Sequence, residues 1–255
     1  MGHVDVGPMR MFYDEQGPPD AAPLVLLHGG MGVATDPLYG WAGLAPSFAE
    51  QFRLVLADHR GHGRTANPAG WMTFEQLGDD LNALIEHLGL GPVHLAGISD
   101  GGVMALDQAL RRPATVRTLV LIGTNYCVDE RTLREVDSID AGTIERDHPD
   151  FAARFAGHHD RGKYPGYWKD LIGQIIDNNR VNPSWTEIDL REVRAPTLLI
   201  AGEDDPFANT RQMVVMKEEI PDAEWLVVNH SGHAVHSERP EIVGPRIVAF
   251  LLRHS

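Results

Sequence analysis

The stretch HLAGISDGGVMA, residues 94–105, sets Ser99 between glycines, after an apolar run and before a helical one. Glycine weakens any regular element, so Gly97 and Gly101 make sense where the backbone turns sharply and other groups come close. The preceding run, PVHLAGIS (92–99), is nearly continuous apolar chain, as in strands buried on both faces of a parallel sheet. DGGVMALDQALRR opens a helix after it. G-x-S-x-G at a strand-to-helix junction is the nucleophile-elbow pattern. It predicts that Gly97 and Gly101 allow the turn, that Gly102 lets the helix pack closely, and that the Ser99 hydroxyl stands at the carboxyl end of the sheet. The plainer alternative is a serine in a glycine-containing turn.

The strand pattern recurs in PLVLLHG (23–29), RLVLAD (53–58), VRTLVLIGTN (116–125), PTLLIAGED (196–204) and EWLVVNHSG (224–232). Helical stretches lie between. The clearest begins with a possible capping box, Thr73 and Gln76. Phe74, Leu77, Leu81, Leu84 and Leu88 follow at helical spacing, and Gly89 stops it. RMFYDEQG (10–17) reads as an antiparallel edge strand. The expected fold is α/β, a mostly parallel, doubly wound sheet with helices on both sides. From Tyr126 to about Asp189 the rhythm breaks into charged, aromatic-bearing helical stretches such as DERTLREVDSI and GYWKDLIGQIIDNN. They predict a helical cap over 126–189, inserted between core segments 1–125 and 190–255. Tyr164, Tyr167 and Trp168 are its candidate pocket or hinge residues; the alternative is that they only pack the cap on the core.

A serine hydroxyl needs a base. VVNHSGHAVHSERPE (227–241) offers three histidines. His233, in the loop after a strand end, is the preferred base. His230 falls within the strand and reads as a packed core residue, while His236 either lines the pocket or faces solvent. The base in turn needs a carboxylate to fix its tautomer. LLIAGEDDPFAN (198–209) supplies Asp205, three residues past Gly202, with Asp204 as the alternative. The order Ser, Asp, His and the strand-end positions agree with one catalytic edge. LLHGGMG (26–32) would lend the Gly30 amide as an oxyanion donor beside that of Asp100, with His28 bracing the loop. His59, Arg60 and His62 in ADHRGHGRT (57–65) lie between glycines that mark a structural turn.

Composition narrows the classes. The chain has 255 residues, 43% hydrophobic and 23% charged, with a formal net charge of -14. Such a charge, without a Lys/Arg cluster, argues against nucleic-acid partners. No apolar run is long enough for a membrane span, and the N-terminus lacks a signal pattern, so a cytoplasmic protein acting on a small-molecule substrate is expected. Cys127 is the single cysteine and reads as a packing residue. GHHD (157–160) is the one compact histidine cluster; it lacks metal-ligand spacing and reads as a surface feature. No dinucleotide fingerprint follows the first strand, and no metal or cofactor is expected.

Taken together, HGGMG, DHRGHGRT, GISDGG, GEDDPF and SGHAVHSERPE resemble the α/β-hydrolase superfamily. GISDGGVMAL, with LVLIGTNYCVDERT after it, looks most like the valacyclovir hydrolase (biphenyl-hydrolase-like) group. The resemblance implies a serine triad and a helical cap after the strand ending near Asn125. It also implies that the acid after the nucleophile, here Asp100, binds a substrate α-amino group. Meta-cleavage C–C hydrolases share the fold but usually carry Met at that position. The expectation is hydrolysis of a small carboxylic ester through an acyl-enzyme on Ser99, Asp205 and His233. The same groups could open a lactone, cleave a thioester or a C–C bond, or run cofactor-free peroxide chemistry. A ligand-binding homologue without catalysis is the rival class.

Overall fold

In the computed structural model, which describes residues 1–255, an eight-stranded sheet runs in the order β1-β2-β4-β3-β5-β6-β7-β8. The strands are β1 (Gly2–Val6), β2 (Met9–Gln16), β3 (Pro23–Leu27), β4 (Arg53–Ala57), β5 (Val93–Ile98), β6 (Val116–Ile122), β7 (Thr197–Gly202) and β8 (Ala223–Val228). The β1–β2 and β2–β4 pairs are antiparallel and every other pair is parallel. The helices are α1 (Ala45–Phe48), α2 (Phe74–His87), α3 (Asp100–Arg111), α4 (Glu130–Ser138), α5 (Ala141–Asp147), α6 (Pro149–His159), α7 (Tyr167–Asn179), α8 (Glu187–Leu190), α9 (Thr210–Glu219), α10 (Val235–Glu238) and α11 (Pro240–Arg253).

Strand side chains alternate between faces, and each face receives its own helices. Val25, Leu27, Leu95, Leu119 and Leu121 pack with residues of α2, α3 and α9. Leu24, Leu26, Ile98, Val120 and Ile122 pack with Phe48 of α1 and with Ile247 and Phe250 of α11. Both sets are fully buried, which is why the central strands read as unbroken apolar runs. A third, smaller cluster (Val136, Phe155, Trp168, Ile172 and neighbours) holds the helices between β6 and β7 together.

The chain leaves β3 for β4 on one side and returns to β5 on the other, with Leu27 beside Gly97. Strand order reverses there, so connections diverge and leave a crevice at the carboxyl ends. That crevice lies between the loop after β3 and the turn after β5.

Several expectations need adjustment. The expected edge strand is β2, and β1 is an additional strand paired to it. β6 stops at Ile122, because Gly123 turns with φ 55°. β8 ends at Val228, so His230 is not a core residue: it is exposed in a left-handed turn (φ 53°), its amide donating to Glu203. The stretch from Tyr126 to Asp189 contains α4 to α7, followed by the start of α8. Its ends meet at a Cys127–Ser184 bridge, and the half-buried Cys127 bonds Gln212 of α9 through its backbone.

The capping box at the start of α2 is present in both directions: Thr73 Oγ1 accepts the Gln76 amide, and Gln76 Oε1 accepts the Thr73 amide. Thr73→Ala should lower stability by about 1 kcal/mol, seen as a fall in Tm of about 2–4 °C in a thermal melt.

Candidate active site

Ser99 is the hinge of the β5–α3 turn. Its backbone sits at φ 52° and ψ −118°, a conformation rare for any residue with a side chain. Its own amide is tied to the Ile122 carbonyl at 2.8 Å. Glycine is required at 101 by contact rather than by angle: a Cβ there would lie 2.5 Å from the Leu27 carbonyl oxygen and 2.6 Å from that of His28. The reversal leaves Ser99 facing a cavity of about 470 Å³.

His233 lines the same cavity. It follows β8 and precedes α10, and its Nδ1 donates to Asp205 at 2.9 Å to Oδ2 and 3.0 Å to Oδ1. Asp205 is buried behind it, and Oδ1 also accepts the amides of Phe207 and Ala208. Asp204 is exposed. Of the two acids, only Asp205 reaches the imidazole. Burial disfavours the His233 imidazolium, but Asp205, and after it Asp100, outweigh burial and raise its pKa above the ordinary value.

Gly29 and Gly30, after β3, form the opposite lip. Neither the Gly30 nor the Asp100 amide bonds a protein acceptor. The Asp100 carboxylate lies against Gly30, so close that a Cβ on Gly30 would collide with it. Asn179 of α7 donates to Asp100 Oδ2 at 3.3 Å. Burial pushes the Asp100 carboxyl up to about 6, against the downward pull of Asn179 and of nearby His233.

The four other pocket candidates lie outside the cavity lining. Tyr164 is exposed and bonds Asp170. Tyr167 and Trp168 are buried by packing at the start of α7, Trp168 with Phe155 and Ile172. His236 is buried beside Trp41. The walls come instead from Val136 and Ile139, Ile144 and Phe151, and Ile175 and Ile176, with Met31, Tyr39 and Phe207 from the core loops. Asn179 and these apolar residues carry no motif; only Ile175, Ile176 and Asn179 share one helix face, that of α7.

His28 and His59 form a scaffold beside the loop after β3. His28 Nδ1 donates to the Gly29 carbonyl at 2.8 Å, and its Nε2 accepts the His59 amide at 2.9 Å. Its ring stacks on that of His59 at 3.6 Å. Burial holds both far below the ordinary histidine range, so both are neutral. Arg60 is taken up by a bidentate bond to Asp80. The GHHD segment is not a surface feature: His159 is buried against the core loops, and His158 lies 2.9 Å from buried Asp36. The one group of side chains spaced for a metal ion is Glu203, Asp204 and His230, all exposed. No helix is long and apolar enough to cross a membrane.

Comparison with known proteins agrees with this architecture. The chain is 28% identical over 269 residues to the "Putative carbamate hydrolase RutD" of Agrobacterium fabrum, covering 95% of this chain and 98% of that one. A thermophilic esterase from Thermogutta terrifontis superposes with a TM-score of 0.79 at 24% identity, over 100% of both chains. A meta-cleavage product hydrolase from Pseudomonas fluorescens superposes with a TM-score of 0.83 at 18% identity, over 100% of this chain and 98% of that one. Residues 22–159 and 140–240 match the family model of the alpha/beta hydrolase fold. With that match laid over a sheet of this topology, the chain belongs to the α/β-hydrolase family.

Proposed function

We propose that the chain hydrolyses small carboxylic esters through an acyl-enzyme on Ser99. One observation carries the reading: Ser99 and His233 open onto one cavity while buried Asp205 holds the far nitrogen of His233. With Nδ1–H committed to Asp205, Nε2 is the basic nitrogen. It takes the Ser99 proton during attack and returns it to the leaving alcohol. Water then repeats the sequence on the acyl-enzyme. The carbonyl oxygen becomes an oxyanion between the Gly30 and Asp100 amides, each worth about 3 kcal/mol in the transition state. The helices between β6 and β7 serve as the cap that shapes the acyl site. A lactone fits the same chemistry, and a cytoplasmic location belongs to the same reading.

Charge supports a narrower substrate class. The cavity is lined by Asp100 and Asp140 and by no Lys or Arg. An anionic acyl group would meet these carboxylates with no lysine or arginine to offset them. The acyl group is therefore neutral or carries an ammonium that pairs with Asp100.

Ser99→Ala should abolish turnover of a p-nitrophenyl ester and labelling by a fluorophosphonate; full labelling in the variant refutes the nucleophile assignment. Asp205→Asn should lower kcat by about 10⁴, and Asp204→Asn should leave kcat within a few-fold of the parent; the reverse pattern moves the acid to Asp204.

The pH profile follows from His233, which works as a base only when neutral. Activity should therefore rise with pH along a limb centred above the ordinary 6.5. Asp100→Asn removes a nearby negative charge that favours the imidazolium, so the limb should move to lower pH. In the parent, an amino-acid ester should be preferred over its deaminated analogue. The preference should fade as pH falls through about 6 and Asp100 protonates, and should vanish in Asp100→Asn. Equal kcat/KM for both esters in the parent removes the ammonium-binding role.

A further inference from the structure

Residues 28–32 belong to no helix or strand and include Gly29, Gly30 and Gly32. Such a segment holds one conformation only if its backbone is pinned from outside. Three successive carbonyls in it each face a histidine. The Gly29 oxygen accepts from His28 Nδ1 at 2.8 Å. The Gly30 oxygen lies 2.6 Å from His62 Nε2, and the Met31 oxygen 3.3 Å from His159 Nε2. The peptide planes are rigid and trans. Fixing the Gly29 carbonyl therefore fixes the Gly30 N–H on the opposite edge of the same plane, and fixing the next two stops that plane from rotating.

His28 and His62 come from loops of the sheet. His159 comes from the last turn of α6, among the inserted helices. Its Nδ1 accepts the Gly63 amide at 3.1 Å, so the proton is on Nε2, the nitrogen facing Met31. Burial, with His62 and Lys163 nearby, drives its pKa down to about 2, which keeps the ring neutral at any working pH, while the Gly63 amide selects the tautomer. One ring thus ties the loop after β3 to the loop after β4. It also packs edge-on to His62, with ring centres 5.5 Å apart. Beside it, Lys163 donates to the Gly61 and Gly63 carbonyls at 2.9 Å each. A second path from α6 reaches the same segment: His158 lies against Asp36, Asp36 accepts the Tyr39 amide, and the Tyr39 carbonyl accepts the Gly29 amide.

We propose that His159 is a positioning residue through which the inserted helices hold the Gly30 amide in its oxyanion-stabilising orientation. The proposal rests on the serine-hydrolase reading above, since the Gly30 amide matters to rate only if an oxyanion forms beside it. His159 touches no substrate; it lies outside the cavity lining. Its loss therefore acts on the transition state more than on substrate binding.

The experiment compares the parent with His159→Leu, His159→Gln and Ile172→Val, using p-nitrophenyl ester kinetics and amide hydrogen exchange across residues 28–34. His159→Leu should lower kcat by about 10- to 100-fold, leave KM within about twofold, and speed exchange in that segment. Gln presents an acceptor and a donor at comparable spacing, so His159→Gln should recover most of kcat and of the protection. Ile172→Val thins the packing of the same helices and should lower Tm without the loss of kcat. If His159→Leu does not fold, His159→Asn, too short to reach both partners, takes its place. Full kcat with unchanged exchange in the Leu or Asn variant overturns the proposal, as does an equal loss of kcat in Ile172→Val. Absence of ester turnover in the parent would instead defeat the hydrolase reading. The exchange comparison still decides whether His159 holds the segment, and unchanged exchange there rejects the proposal by itself.

Discussion

Everything at the site depends on the chain reversing from β5 into α3 within one residue. Ser99 carries the cost, a positive φ of 52° on a residue with a side chain, worth about 1–3 kcal/mol. The surroundings over-determine it. The Ser99 amide is tied to β6, and its carbonyl takes the amides of Gly102 and Val103 at the start of α3. Gly101 lets that helix approach the end of β3 more closely than any side chain would permit. The same reversal places Asp100 at the crevice opened by the change in strand order between β3 and β5. Strand order supplies the crevice, and the strained turn sets the Ser99 side chain into the cavity there.

Burial has opposite outcomes for the histidines of this chain, and the difference is one carboxylate. His28, His59, His62, His94, His159 and His236 are buried, and each is held below the ordinary histidine range. A neutral ring can accept at one nitrogen and donate at the other, and His28 and His159 use this as two-ended struts between backbone groups. His233 is raised, because Asp205 faces its Nδ1 from a site where two backbone amides already hold the carboxylate in place. These histidines thus separate into several with lowered pKa and one, His233, with a raised pKa. What sets His233 apart is the aspartate behind it together with the cavity in front of it.

That division explains what could be read from sequence. The strands, the α2 capping box and the elbow were legible because each rests on local rules: apolar runs, an N-cap pair, glycines at fixed offsets from Ser99. Asp205 was separable from Asp204 by its distance from the end of β7. His230 was misread because the apolar run EWLVV gives no sign that the strand stops at Val228 and turns through a left-handed residue. The GHHD segment was misread for a related reason: whether a histidine on α6 faces water or Met31 depends on how the helix docks, and docking is a tertiary fact. The cavity walls were hidden in the same way. Tyr164, Tyr167 and Trp168 attract notice by residue type. The residues that line the site, such as Asn179 and Ile175, are ordinary helix-face residues selected by the rotation of α7.

Asp100 places a demand on the proposed chemistry that the rest of the site does not meet. In that chemistry its amide would serve the oxyanion, while its carboxylate lies against Gly30, the other proposed donor. Like charges 4 Å apart near a protein surface repel by about 4 kcal/mol, comparable to what one oxyanion donor contributes, about 3 kcal/mol. Asn179 answers with a single long hydrogen bond at 3.3 Å. No lysine or arginine lines the cavity to neutralise the rest. The missing positive charge has two sources. Protonation of Asp100 near pH 6 supplies it by removing the negative charge, but only toward acid, where His233 also protonates and ceases to be a base. An ammonium on the substrate supplies it toward higher pH, where Asp100 is ionised and His233 loses its proton to become a base. Since only the second acts on the side of the profile where His233 is a base, the proposed chemistry pairs the Asp100 carboxylate with an ammonium that arrives with the substrate.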